Sequence, residues 1–310
     1  MAFYKKVPVL KQMYRLYKLA TSNRYTVGFA EFSEDLVKEG FVPDVHWIKD
    51  DYKAGWFADP FILRVTDDEI VLLVEEFVYK LNRGIISQLT INRKDYSIKE
   101  VKPIINTGYH LSFPAYYRKN GKVYIYPEQG ARGATYLYEY DEATYKVKEL
   151  GIINPNDTVD TTISEFPDGK KVLTCTTAPD YNGNVLDFYP FFENECPSQL
   201  KPIKRIKLST KTARNAGMVF SIGDKKYRPA QYCENEYGEC TEIQEMIMNG
   251  DDISFVTRNR IYSPSKEYKD AFHTFNVFEN KLVVVDGRKK RFPFLTKMLG
   301  MPQMYNISKM

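Results

Sequence analysis

The sequence predicts an all-β protein, a five-bladed β-propeller with short helical N- and C-terminal extensions. Three observations lead there. One strand–turn–strand unit recurs five times, its copies start about 50 residues apart, and the turns inside them carry residues suited to tight hairpins. That spacing leaves room for two more strands per unit, such as Ser87–Asn92 and Thr135–Tyr140. Four strands per repeat at this period describe a propeller blade. An irregular β-sandwich with unrelated hairpins is the competing architecture.

The first copy opens at Asp59-Pro60-Phe61-Ile62-Leu63, turns at Asp67-Asp68, and follows Ile70–Val74 to Glu75-Glu76. The second opens at Phe113-Pro114-Ala115, turns at Asn120-Gly121, and follows Val123–Tyr126 to Glu128. The third opens at Asp160-Thr161-Thr162-Ile163, turns at Asp168-Gly169, and continues through Val172–Thr176. The fourth opens at Ala216-Gly217-Met218, turns at Gly223-Asp224, and continues through Tyr227-Arg228-Pro229-Ala230-Gln231. The fifth opens at His273-Thr274-Phe275, turns at Glu279-Asn280, and continues through Leu282–Asp286. Asn-Gly and Asp-Gly supply the positive φ that both central residues of a tight hairpin need. The repeats fill residues 25–290. Residues 1–24 read as an amphipathic segment and 291–310 as a basic, apolar tail.

The chain has 310 residues, 43% of them hydrophobic, enough for a sizeable core. Its 24 tyrosines and 19 phenylalanines favour strands and suit clefts that bind sugars; a tyrosine-rich β core accounts for the same count. A net charge of +4 with no concentrated Lys/Arg stripe argues against nucleic acid. In residues 9–20, Leu10, Met13, Tyr14 and Tyr17 share one helical face, with Lys11, Arg15 and Lys18 on the other. Residues 288–298 mix Arg288, Lys289, Lys290 and Arg291 with Phe292, Phe294, Leu295 and Met298. Such segments either lie on anionic membranes or pack as helices on their own domain. Cys175, Cys196, Cys233 and Cys240 show no metal-site spacing. With no signal-peptide pattern and no membrane-length apolar run, the expectation is a cytoplasmic protein, peripheral to the membrane's inner face through its ends.

The blocks WFADPF (56–61), HLSFP (110–114), YPEQ (126–129), VDTTI (159–163), YRPAQYC (227–233) and FHTFN (272–276) stand in this order. Together they resemble the N-terminal domain of plant glucosamine inositolphosphorylceramide transferases and its stand-alone bacterial relatives, over about residues 25–290. The separate transferase domain of the plant enzymes is not recognised here, so their sugar transfer is not implied. More distantly, the chain is similar to the propeller superfamily of arabinanases, xylosidases, invertases, levansucrases and mannoside phosphorylases. Those enzymes bind sugars at the channel mouth and open their first blade with Asp, usually followed by Pro; Asp59-Pro60 matches. The resemblance implies a glycan or lipid-linked saccharide as partner. It also allows a Ca²⁺ ion near His273, although hard cations prefer oxygen and a neutral, hydrogen-bonded channel histidine is the stronger expectation.

Cleaving a glycosidic bond takes two carboxylates, one ionised and one protonated. Blade openings converge on one channel, so Asp59 and Asp160 are expected to meet. Asp59 is the expected base or nucleophile, Glu128 the acid, and Asp160 the orienting or pKa-tuning partner. Glu75, equivalent to Glu128, is the substitute acid. Arg228, Gln231, Tyr232 and His273 are expected to contact substrate, with Pro229 bending its segment at the rim. Each has a structural reading beside it: a turn cap for Asp59, local bonds to Thr161 and Thr162 for Asp160, solvated strand ends for the glutamates, an interblade salt bridge for Arg228, and core packing for Tyr232. His46 and His110 have no motif-level claim to a catalytic role. A carbohydrate-active enzyme and a non-catalytic glycan-binding or scaffold module both fit these residues.

Overall fold

The computed structural model describes residues 22–166, 169–193, 197–250 and 252–291. Strands β1 (Ser22–Glu31) and β2 (His46–Trp47) come first in the chain but belong to the last sheet. The next sheet holds β3 (Gly55–Val65), β4 (Glu69–Val78), β5 (Arg83–Asn92) and β6 (Ile98–Ile105). Strands β7 (Tyr116–Lys119), β8 (Lys122–Ile125), β9 (Thr135–Asp141) and β10 (Lys146–Asn154) follow as a second meander. A third contains β11 (Thr158–Glu165), β12 (Lys171–Thr177), β13 (Val185–Pro190) and β14 (Lys204–Lys207). A fourth contains β15 (Phe220–Ile222), β16 (Lys225–Tyr232), β17 (Cys240–Asn249) and β18 (Asp252–Ile261). The last sheet runs β19–β20–β1–β2, with β19 (Phe275–Phe278) and β20 (Leu282–Arg291) from the C-terminal side. The protein is a five-bladed β-propeller, and its ring is closed by pairing β1 with β20.

Ten residue pairs join β1 to β20, from Ser22 opposite Arg291 to Glu31 opposite Leu282. This closure corrects one expectation. Arg288–Arg291 do not begin a basic amphipathic helix; they continue a strand that Ser22–Tyr25 complete. Residues 9–20, 292–298 and the expected helical extensions lie outside the described residues. Among the described residues, no helix is long and apolar enough to cross a membrane.

Strand chemistry follows position in the blade. In β4, Ile70–Val74 are all buried because both faces of the sheet are covered by neighbouring blades. In the outer strands β6 and β10 the pattern loosens, and Lys99, Lys102, Lys146 and Lys148 charge the exposed edge. The hairpins at Asn120-Gly121 and Glu279-Asn280 have positive φ at both central residues: 50° and 75°, then 50° and 50°. Between blades lie apolar layers; the largest packs Phe61, Leu73, Phe113, Ile125, Tyr138 and Leu173, with the Phe61 and Phe113 rings edge to face at 5.0 Å.

Candidate active site

Two of the five blade openings lie on inner strands, Asp59 on β3 and Asp160 on β11. Phe113, Ala216 and His273 lie in the segments that lead into β7, β15 and β19. Asp59, Phe113 and Asp160 share one unusual backbone state, with φ of 49°, 45° and 45°. Left-handed backbone costs a non-glycine residue about 1–2 kcal/mol, so something recovers it here. In each case the turned amide N–H donates to a carboxylate. Asp59 N–H donates to Asp286 Oδ2 at 3.1 Å, Phe113 N–H to Asp59 Oδ2 at 3.1 Å, and Asp160 N–H to Glu128 Oε2 at 3.2 Å.

Asp59 is buried, and it also accepts the Thr274 hydroxyl at 2.8 Å. Burial, with Asp286 and Asp160 adding, pushes its carboxyl up to about 6 against the opposing pull of His273. Glu75, on β4 beside the β3 bulge, has its carboxyl raised well above the usual range by burial and then by Asp59, Glu128, Asp286 and Asp160. Its Oε1 is buried without a hydrogen-bond partner among the described residues. Glu128 lies beyond β8, bridged to Ser112. Burial raises its carboxyl, Arg214 opposes this, and Asp160 and Asp59 add to it.

One guanidinium serves two of these acids. Arg214 donates through Nε to Asp160 Oδ2 and through Nη2 to Glu128 Oε2 at 3.2 Å, and lies 4.8 Å from the Tyr237 ring centroid. A single cation between two carboxylates leaves one negative charge in excess, which adds to the burial that raises the proton affinity of Glu128. Gln231 Nε2 donates to the same Asp160 oxygen at 2.6 Å.

His273 is buried between two carboxylates. Its Nδ1 meets Asp286 Oδ1 at 2.7 Å and its Nε2 lies 3.5 Å from Asp59 Oδ1. Burial disfavours its charge, but Asp286 and Asp59 outweigh that and raise its pKa. Asp59, His273 and Asp286 place one potential ligand atom each within 4.8 Å of one another. This donor set does not fit Ca²⁺, which takes 6–8 oxygens. It offers an imidazole and two carboxylates whose oxygens already accept Thr274 N–H, Thr274 O–H and the turned amides.

Asp59, Glu75, Glu128, Arg214 and His273 converge on one cavity of about 240 Å³. Tyr25, Trp56, Phe77 and Tyr237 wall it, with Asn23, His110 and Ser112 completing the lining. Trp56 and Phe77 stack at 4.8 Å. Trp56 Nε1, like Glu75 Oε1, is buried without a partner among the described residues.

A family model described as glucosamine inositolphosphorylceramide transferase 1, N-terminal, matches residues 45–274, a span that includes every acid just named except Asp286. The chain belongs to this family. A curated relative, glucosamine inositolphosphorylceramide transferase 1 of Arabidopsis thaliana, is 26% identical over 199 residues, covering 62% of this chain and 26% of that protein. The chain thus spans about a quarter of that relative's length. A GH43 β-1,3-galactosidase superposes with a TM-score of 0.52 at 13% identity, covering 86% of this chain and 62% of the other. A GH43_1 enzyme from Xanthomonas citri gives 0.51 at 10% identity, covering 77% and 88%. At such identities the likeness speaks for the propeller fold.

Within this family's blocks, several expected positions move. Arg228, from the YRPAQYC block, is no rim residue. It is 1% exposed, and its guanidinium donates to Asn215 Oδ1 at 2.7 Å, Thr212 O at 3.0 Å, Gln244 Oε1 at 2.8 Å and Ala213 O. Pro229 does not bend the segment to the rim. It sits within β16, where β15 no longer pairs and Pro229 O accepts Ala216 N–H instead. Gln231 is fully buried and touches Asp160 rather than the cavity mouth. Tyr232 packs under Arg260 at 4.1 Å, away from the cavity. Asp160 lies behind the lining, tied to it through Arg214. Glu75, Glu128, Asp59 and His273 are lining residues. Sequence reasoning missed Arg214, Asp286 and His110. Arg214 carried no motif signal, whereas Asp286 ends the second strand of the fifth repeat as Glu75 and Glu128 end theirs, and the HLSFP block could have pointed to His110.

Proposed function

We propose that this chain is a carbohydrate-active enzyme that binds a sugar at the channel mouth and acts on its glycosidic bond with paired carboxylates. The observation that carries this reading is the wall of the cavity. Trp56 and Glu75 line the same small aromatic-walled space, and each carries a buried polar atom, the donor Trp56 Nε1 and the acceptor Glu75 Oε1, with no hydrogen-bond partner among the described residues. Buried polar atoms without partners are rare, and a ligand hydroxyl satisfies both kinds. Aromatic faces suit the apolar face of a sugar ring.

In this reading Asp59, titrating near 6, is the base or nucleophile at neutral pH. Of the two raised glutamates, Glu75 is the better general acid. Glu128 is committed to Arg214 and to the Asp160 amide, whereas Glu75 Oε1 accepts no hydrogen bond and Glu75 has no Lys or Arg ion-pair partner among the described residues. Asp160 acts from behind, raising the proton affinity of both Asp59 and Glu75. The sugar substrate lies on a glycan or lipid-linked saccharide of a cell-surface polymer.

A panel of aryl glycosides and lipid-linked saccharides, read by released aglycone and by calorimetric binding, tests this. Turnover by the wild type is expected, with Asp59→Asn lowering kcat about 10²–10⁴-fold while binding persists. A second reading, a binding module, is favoured by the match to a separate N-terminal portion of a much longer transferase. Sugar binding without turnover would establish it, and neither binding nor turnover would refute both.

A further inference from the structure

Behind the proposed acid lies a second group that the reaction scheme does not yet use. His110 lines the cavity beside Glu75, its Nε2 lying 3.5 Å from Glu75 Oε1. The other ring nitrogen fixes the tautomer. His110 Nδ1 accepts the Gly84 N–H at 2.9 Å, so in the neutral ring the proton sits on Nε2, facing the carboxyl. The loop is pinned there by Leu111 N–H, which donates to Gly84 O at 3.1 Å.

Gly84 does a second thing. A Cβ at this position would stand 2.6 Å from Glu75 Oε1 and 2.4 Å from Leu111 O. The missing side chain is what lets the Glu75 carboxyl and the His110 loop approach each other. One residue therefore orients the imidazole with its amide and opens the space for the acid.

We propose that His110 is the positioning residue for Glu75, its Nε2–H receiving the carboxylate that Glu75 becomes when it protonates the departing oxygen. This rests on the assignment of Glu75 as acid. In the step, the Glu75 carboxyl gives its proton to the leaving-group oxygen, which takes the electron pair of the breaking C–O bond, while Asp59, or a water that Asp59 deprotonates, forms the new bond to the anomeric carbon. The Nε2–H stays on the imidazole. The 3.5 Å approach shortens once the carboxylate is charged, as such contacts commonly tighten in the reacting complex. Burial lowers the His110 pKa, which keeps the ring neutral and its tautomer fixed at pH 7. The charges that push the Glu75 carboxyl upward are carboxylates, Asp59 from β3, Glu128 beyond β8, Asp286 from β20 and Asp160 from β11, and the cavity also holds Arg214 and His273. None of those carboxylates can donate to it while ionised, whereas His110 Nε2 stands 3.5 Å from Glu75 Oε1.

His110→Leu removes the donor and His110→Gln restores an N–H near the Nε2 position. With a sugar or alkyl leaving group, His110→Leu is expected to lower kcat about 10–100-fold. With dinitrophenolate, which leaves without protonation, its kcat should stay within about threefold, and Gln should recover most of the loss. Equal losses on both leaving groups would overturn the proposal. A second readout needs no turnover: the ¹³C-carboxyl titration of Glu75, assigned by its disappearance in Glu75→Gln. Loss of the Nε2–H should raise the Glu75 pKa, since a donor to the charged form lowers it. An unmoved titration would overturn the pairing. If the wild type turns over no glycoside, the enzymatic reading fails, and the titration alone decides whether His110 and Glu75 form the pair.

Discussion

Arg214→Met removes the one cation that Asp160 and Glu128 share. The wild-type side chain is 12% exposed and its fork spans both carboxylates, with 3.2 Å to Glu128. Unit charges about 4 Å apart attract by about 4 kcal/mol at an effective dielectric constant of 20, and stripping one partner from a buried pair costs about 3–5 kcal/mol. The variant would also lose the Tyr237 ring contact and the bond to Asn182. At about 2–4 °C per kcal/mol for a domain of this size, the melting temperature should fall by roughly 6–20 °C at pH 8. The loss should shrink in acid. Without Arg214, Glu128 loses the charge that opposes its upward shift, so its folded pKa rises further above the unfolded value. Such a group contributes stability that is full below the unfolded pKa and lost as pH rises through the folded one. Thermal melts of wild type and variant at pH 5 and pH 8, followed by circular dichroism, measure both effects. A fall of under 2 °C at pH 8, or an equal fall at both pH values, would refute the shared-cation account.

Glu75→Gln should flatten the same kind of dependence. The raised wild-type Glu75 loses stability as pH climbs through its folded pKa, so the variant should match wild type at pH 4 and exceed it at pH 9 in urea unfolding. Arg228→Met orphans Asn215 Oδ1, Gln244 Oε1 and two carbonyls, and should cost about 3–5 kcal/mol in the same assay. Its intact-fold fraction should also bind sugar more weakly, because Asn215 Nδ2 holds the Asp160 carbonyl at 2.8 Å. Gly84→Ala should cost about 1–3 kcal/mol through overpacking against Leu111 O and should abolish sugar binding by displacing Glu75; unchanged calorimetric binding would count against the cavity.

The blades were legible because hairpins are local. Asn120-Gly121 and Glu279-Asn280 announce their turns within a few residues, and the apolar runs beside them need no distant partner to be recognised. Equivalent positions in repeated units then placed Asp59 and Asp160 on inner strands. Ring closure was not legible in that way. The pairing of Ser22–Glu31 with Leu282–Arg291 joins residues some 260 positions apart, and nothing in either segment names the other. Arg288–Arg291 therefore looked like the start of a basic tail, although β1 was waiting to pair with them.

The same division holds in the site. Local sequence determined which residues turn at the blade openings and that carboxylates gather near the axis. Only the tertiary structure decided which carboxylates share a cavity, because that depends on side-chain direction in sheets covered on both faces. In β16, Tyr227 through Gln231 are all buried, so alternation cannot say that Arg228 points into its own blade while Gln231 reaches Asp160. Arg214, which has no motif, gains its importance from carboxylates of other blades, and Asp286 from holding the Asp59 amide of another blade. Charge balance in a buried cavity is a sum over the whole ring, and a single segment of sequence carries only its own contribution.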